Sequence, residues 1–334
     1  MKAPRGVAAA PDDVSHWLGQ ASHEDAMTTL LYTHEACLEH DPGSHHPESP
    51  DRLRAVLAGL SRPDFTRVKR REAPLADIDE VARVHPRPFI EAVLASVPAR
   101  GHAALDPDTV LSPRSGEAAL RAVGAVCAAV DAVVAGDADN AFCAVRPPGH
   151  HAEPERAMGF CLFNSVAVTA QRARQKHGLE RAAVIDFDVH HGNGTQATFE
   201  NNPHVFYAST HQSPLYPGTG ARSESGVGNI VNVPLRPMSG STEFRRAYDE
   251  IILPALEDFA PDFILISAGF DAHRRDPLAQ LMLVEDDYAW VTERLMACAA
   301  RHCEGRLVSS LEGGYDLEAL AASSAAHVRA LMAA

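Results

Sequence analysis

Apolar, β-branched runs recur along the chain, with alanine-rich amphipathic stretches between them. "TTLLYT" (28–33), "AFCAVR" (141–146), "AAVIDFD" (182–188), "HVFYAST" (204–210), "NIVNV" (229–233), "FILISAG" (263–269) and "RLVSSL" (306–311) read as strands. Several are apolar throughout rather than alternating, which marks strands buried on both faces of a parallel sheet. Helical patterns cover 49–60, 115–136, 161–177, 241–259, 285–303 and 316–333. The first of these has Ser49 as N-cap and Pro50 at the first helical position. Alternating strands and helices predict an α/β fold, a three-layer sandwich with a mostly parallel central sheet. No repeat, low-complexity tract or linker divides the chain. Residues 27–334 are expected to form a single domain behind a polar extension, residues 1–26, that is disordered or holds a short helix near Ser15–Ala26.

The polar clusters follow strands: "RPPGHH", "DFDVHH", "GFDAH" and "EGGY". Parallel α/β sheets bind ligands outside the carboxyl ends of their strands, so four segments are placed to converge on one crevice. In extended backbone, residues two apart share a side. Asp186, Asp188 and His190 therefore point one way, and Phe187, Val189 and His191 the other. Carboxylate and imidazole suit zinc and other borderline divalent metals. Without the other clusters, a metal-free Asp–His network would be the simpler reading. Catalytic zinc commonly takes three protein ligands and one open position. Asp271 is the best third ligand, with His273 competing, and an N-cap role for Asp271 stays open.

His150 and His151 sit in a loop stiffened by Pro147 and Pro148, where they are candidates for general base and electrostatic partner. Tyr315, behind two glycines, is either an oxyanion donor or a structural tyrosine.

Composition narrows the partners. At 46% hydrophobic and 22% charged, the 334 residues are of ordinary globular type. A net charge of −14 argues against direct nucleic-acid binding, while an acidic rim could attract a cationic substrate. The six cysteines form no CxxC pair, which favours a reducing cytoplasm. Cys298 and Cys303 could pair or bind metal, but isolated buried thiols are the simpler expectation. No apolar run approaches the ~20 residues of a membrane span, and the N-terminus lacks a signal peptide's apolar core. Oligomerisation is left open.

The segments "RPPGHHAEPERAMGFCLFN", "VIDFDVHHGNGTQ", "PGTG", "SAGFDAHRRDPL" and "LEGGY" together resemble the histone deacetylase and acetylpolyamine amidohydrolase family, especially its class II-like bacterial members. The match runs from about Leu30 to about Leu331. The resemblance implies an arginase/deacetylase-like catalytic domain with one zinc on Asp188, His190 and Asp271. It implies His150 and His151 as the tandem histidines, Asp186 as the partner of His150, Asn193 behind His151, and Tyr315 as the carbonyl-polarising tyrosine. It suggests a structural potassium near Asp186, Asp188, His190 and Ser209. Phe160, Tyr216, Gly159 and Leu278 fall on the substrate tunnel, and Asp106 or Asp108 on the rim aspartate that grips the substrate backbone.

The expected reaction is removal of acetyl or related acyl groups from N-acyl-lysine, in peptide or protein, or from a small acylated amine. Departures from the family pattern are informative. Class I members carry Asp where Asn193 sits, so a lower His151 pKa is expected. Ser165 replaces a common Asn, with no evident consequence. Leu278 stands where the polyamine-selective branch has an acidic gate, which weakens the polyamine reading. The rivals are an arginase-like binuclear hydrolase and a catalytically silent acyl-lysine reader.

Overall fold

The structure, a computed structural model, describes residues 27–333. The expected extension at 1–26 lies outside the described residues. In chain order the strands are β1 (Thr29–Thr33), β2 (Lys69–Glu72), β3 (Ala103–Ala104), β4 (Val110–Leu111), β5 (Asn140–Cys143), β6 (Ala182–Asp186), β7 (Val205–Gln212), β8 (Ile230–Leu235), β9 (Phe263–Ala268) and β10 (Leu307–Leu311). The helices are α1 (Ala36–Glu39), α2 (Pro50–Gly59), α3 (Ile78–Val81), α4 (Arg87–Ala95), α5 (Ser115–Val134), α6 (Ser165–His177), α7 (Asn193–Phe199), α8 (Ser241–Ala247), α9 (Leu253–Phe259), α10 (Glu285–His302) and α11 (Leu317–Leu331).

Among the described residues, eight strands form one sheet in the order β2-β1-β5-β10-β9-β6-β7-β8, and every pairing is parallel. All residues of β5, β6, β9 and β10 are buried, as their unbroken apolar runs predict. α5 and α6 pack on each other and on the sheet; α10 and α11 form a second such pair, with α2 against α11. The sheet between these layers is the three-layer sandwich expected. The core joins Leu30, Val184, Ile185, Phe187, Ile264 and Val308 with the inner faces of α5, α10 and α11.

All seven expected strands are present. The edge strand β2 was not foreseen, because "KRRE" is charged and exposed at every position. Such an edge pairs through its backbone while its charges discourage further strand addition. The segment expected to be one helix over 241–259 is interrupted by a π-helical turn, Tyr248–Ile252. The helix expected from 161 begins at Ser165, where the Asn164 side chain accepts the Ala167 N–H at 3.0 Å. Ser49 does occupy the N-cap of α2, but its hydroxyl makes no capping bond.

Candidate active site

β5, β10, β9 and β6 are adjacent in the middle of the sheet, and the four polar clusters leave their carboxyl ends. Asp186 ends β6; beyond it Asp188 and His190 turn to one side while Phe187 and Val189 stay wholly buried in the core. Asp271 enters from the turn after β9. The ligand atoms of Asp188, His190 and Asp271 all lie within 4.8 Å of one another, and all three residues are buried. His190 Nδ1 lies 3.1 Å from both Asp188 Oδ1 and Asp271 Oδ2. Backbone donors aim the carboxylates: Gly313 N–H donates to Asp188 Oδ2 and Val189 N–H to Asp271 Oδ1, both at 2.8 Å.

Asp271 does not cap a helix; the next one begins at Glu285. His273 turns away, with Nε2 3.6 Å from Glu285.

Two buried carboxylates around one imidazole are short of positive charge. Burial, then the charge of Asp188, pushes Asp271 up to about 7. Burial alone would lower His190, but the carboxylates flanking it push it up to about 10. His190 Nδ1 between the two carboxylates marks the place a divalent cation would take, and the donor set suits zinc.

His150 Nδ1 sits 3.0 Å from Asp186 Oδ2, which also accepts the Tyr207 hydroxyl at 3.1 Å. Burial opposes charge on His150, yet Asp188, Asp186 and Glu312 hold its pKa well above the usual range. His151 is the reverse: burial first, then His150 and His190, hold it well below. The expected low pKa of His151 is present, but burial is its main cause; Asn193 pulls the other way. Asn193 Nδ2 donates to Glu153 at 2.8 Å, which turns its Oδ1 toward His151 Nδ1, also at 2.8 Å. Nδ1 must then carry the proton, leaving Nε2 as the free lone pair.

A cavity of 210 Å³ opens above these groups, lined by Asp108, His151, Gly159, Phe160, His190, Leu215, Tyr216, Leu278 and Tyr315. Wider depressions beside Arg236 and beside Asp51 have no such cluster at their base. The Tyr216 ring stands edge-on to His151 at 5.1 Å, and Phe160 edge-on to Tyr315 at 6.0 Å. Burial keeps the Tyr315 phenol a proton donor by raising its pKa well above the ordinary value. A Cβ on Gly159 would stand 2.4 Å from His151 Cδ2, so only glycine lets this wall close on the histidine.

Of the two rim aspartates, Asp108 reaches the cavity and accepts the Gly159 N–H at 3.1 Å. Asp106 instead folds its own turn by accepting the Asp108 and Thr109 N–H groups at 2.9 and 3.0 Å. Ser209 is the strand neighbour of Asp186, and its hydroxyl lies 2.9 Å from His211 Nδ1.

Sequence reasoning passed over several groups. Glu312 accepts the Gly149 and His150 N–H groups at 2.6 and 3.2 Å. Asp276 Oδ2 accepts the Tyr315 N–H at 2.7 Å. Buried Arg52 donates to the Gly314 carbonyl at 2.6 Å, and its guanidinium lies 4.8 Å from the Tyr315 ring centre. Glu312 alone had a visible signal, as a charge at the end of an apolar strand before two glycines.

Fold and site together define a protein of the arginase/deacetylase class. Within it the chain belongs to the histone deacetylase family, whose histone deacetylase domain matches residues 46–331. It is 40% identical over 311 residues to the histone deacetylase-like amidohydrolase of Pseudomonas aeruginosa, covering 86% of this chain and 82% of that protein. It is 38% identical over 328 residues to the chloroplastic histone deacetylase 14 of Arabidopsis thaliana, covering 92% and 77%. A probable deacetylase of Archaeoglobus fulgidus is 39% identical over 299 residues, covering 87% and 82%. Among solved structures, the HDA15 HD domain superimposes with a TM-score of 0.87 at 36% identity, covering 92% of this chain and 88% of that one. The family is one of deacetylases and amidohydrolases that act on acylated amines. Among the described residues no helix is long and apolar enough to cross a membrane.

Proposed function

We propose that the protein is a zinc-dependent amidohydrolase that removes acetyl or related acyl groups from N-acyl-lysine, or from similarly long, thin acylated amines. One observation carries the reading: His190, His151 and Tyr315 line a single narrow cavity, with Asp188 and Asp271 clustered on His190 and His150 packed beside His151. Its volume of 210 Å³, between Phe160, Tyr216 and Leu278, suits an alkyl chain rather than a bulky group.

Asp188, His190 and Asp271 would hold the metal, which when bound polarises the acyl carbonyl and lowers the pKa of the attacking water. His151 accepts that water's proton at Nε2, its other nitrogen being fixed by Asn193, and returns it to the leaving amine. His150, oriented by Asp186, keeps positive charge beside the developing anion. Tyr315 donates its hydroxyl hydrogen to the same oxygen. Asp108 grips the substrate backbone at the rim, and Phe160 and Tyr216 flank the chain. Leu278 offers no charge to a polyamine.

Potassium is the weaker ion assignment. Asp186 already accepts from Asp188 N–H, His150 and Tyr207, three of the roughly four acceptor directions of a carboxylate. That ion rests on the family resemblance, and a thermal midpoint that rises with potassium over sodium would support it. The domain is taken to run from residue 27, and the cytoplasm remains the proposed compartment.

The test is amine release from acetyl-lysine aminocoumarin peptides, trifluoroacetyl analogues and acetylpolyamines by the zinc-loaded protein. Turnover on acyl-lysine, lost in His151→Ala and Tyr315→Phe, is the expected result. Peptide binding without amine release favours the silent reader. Two metals per active site with activity on a guanidine favour the arginase-like rival.

A further inference from the structure

We propose that Glu257, Cys298 and His302 form a second divalent-metal site, of the zinc type, at the end of the sheet opposite the catalytic cavity. On α10, Cys298 and His302 are four residues apart and so share a face. That face meets α9, from which Glu257 reaches across. The three ligand atoms lie within 4.8 Å of one another. α9 leads into β9 and α10 into β10, so the cluster sits by the amino ends of strands whose carboxyl ends carry Asp271 and Glu312.

Cysteine, histidine and glutamate are all zinc ligands. The surrounding residues arrange them as a metal site would need. Arg301 donates mainly to Glu257 Oε1, with Nε 3.1 Å from it and 3.5 Å from Oε2, and Glu257 Oε2 is hydrogen-bonded to His302 Nε2. A guanidinium that pins one carboxylate oxygen while the other points at a ligand is the usual outer support of a metal carboxylate. Cys298 is wholly buried, and its thiol is set against this carboxylate, which Arg301 and His302 already engage. A cation between them would take the place of the His302–Glu257 contact, leave Arg301 on Oε1, and convert the thiol to thiolate.

Tetrahedral zinc needs ligand atoms roughly 3.3–3.8 Å apart. Rotation of Glu257 and His302, whose side chains are 32% and 23% exposed, closes the remaining gap onto the fixed sulfur. The same exposure leaves an entry path and a fourth position for water. The bound metal would clamp α9 to α10 and so fix the amino ends of β9 and β10. It takes no part in the hydrolysis.

The experiment uses the full chain, stripped with chelator and titrated with Zn²⁺ and, separately, Co²⁺. Wild type is expected to bind two zinc ions; Cys298→Ser and His302→Ala are expected to bind one and keep their turnover. The catalytic cluster contains no sulfur, so a thiolate-to-cobalt charge-transfer band reports the second site alone. The band should vanish in Cys298→Ser and survive in Asp271→Asn. A single zinc in wild type, two in Cys298→Ser, or cobalt binding without the thiolate band would each overturn the proposal and leave only the Arg301–Glu257–His302 charge network. If Cys298→Ser fails to fold, the partly exposed Glu257→Gln and His302→Ala variants give the same reading.

Discussion

Gly313→Ala should disarm the site without touching any side chain in it. Gly313 follows Glu312 and lays its backbone against the ligand carboxylates. A Cβ there would stand 2.0 Å from Asp271 Oδ2 and 2.6 Å from Asp188 Oδ2, where real Cβ contacts begin near 3.0 Å. The Asp271 oxygen must therefore retreat by about 1 Å, and the Asp188 oxygen by a few tenths. Neither is the end of a flexible surface chain: Val189 N–H holds the Asp271 carboxylate through Oδ1, and Gly313 N–H holds Asp188 Oδ2. Zinc–oxygen bonds tolerate only about ±0.2 Å. The variant should thus lose at least ~10²-fold in zinc affinity, since even changes behind the ligands cost 10–100-fold. The overpacking itself costs about 1–3 kcal/mol, which leaves the chain folded. The assay is zinc content after dialysis against a weak chelator, with circular dichroism to verify the fold. Gly240→Ala, whose added Cβ makes only ordinary contacts of 3.6 Å, is the control. A folded Gly313→Ala protein that also carries Cys298→Ser, so that only the catalytic cluster is read, and still retains tight zinc would refute the claim that these two carboxylates are its ligands.

Three further outcomes follow from the same geometry. Tyr315→Phe removes one of the two phenols that line the cavity, the one assigned to the oxyanion, and should lower kcat by ~10²–10³-fold with zinc content unchanged; an unaltered kcat would return Tyr315 to a structural role. Leu278→Glu places a carboxylate on the cavity wall and should raise the ratio of acetylspermidine to acetyl-lysine turnover; an unchanged ratio would remove Leu278 from substrate selection. His327 is fully buried between Ser309 and Thr292, and burial lowers its pKa to about 3. A depressed histidine contributes stability that is complete above the unfolded value near 6.5 and is lost as pH falls toward 3. Between pH 7 and 5 it should cost about 2 kcal/mol, and His327→Gln should flatten the pH dependence of urea unfolding. An equal drop in wild type and variant would refute that assignment.

What was legible in the sequence is what is local in it. Each cluster sits directly behind its own apolar run, so "VIDFDVHH" and "SAGFDAH" reveal both a strand and what it delivers. Period-two alternation placed Asp186, Asp188 and His190 on one side even though the strand ends at Asp186, because the buried Phe187 and Val189 keep the alternation going. Illegible were the groups that act across long chain separations. Glu48 ties Arg52 to Arg146, 98 positions from Glu48, and Arg52 in turn holds the Tyr315 loop by the Gly314 carbonyl; no window of sequence contains that arrangement. The choice between Asp106 and Asp108 depended on the shape of a turn, since the side chain that folds the turn cannot also face the cavity. β2 was hidden because edge strands need no apolar face.

The alternative to a metal is a buried Asp–His network that serves stability, and the two readings differ in sign. Without a cation, Asp271 has its pKa raised from near 3.8 to about 7. A raised carboxyl contributes stability that is complete below the unfolded value and is lost as pH rises through the folded one. The metal-free protein should therefore weaken between pH 5 and pH 7.5, by about 2 kcal/mol from this group. In Asp271→Asn the amide oxygen can still accept the Val189 N–H and His190 Nδ1–H keeps Asp188 Oδ1, so one hydrogen bond, worth about 1 kcal/mol, is lost while one of two repelling buried charges disappears. Removing such a charge is often neutral or stabilising when no partner is left stranded. Metal-free Asp271→Asn should thus be at least as stable as metal-free wild type at pH 7.5, yet bind no zinc at this site. Urea unfolding of both after chelation decides the matter. If the asparagine protein is the weaker by several kcal/mol, Asp271 is there for the fold; if it is the stronger, the carboxylate is retained at a loss of stability that only a bound cation makes good.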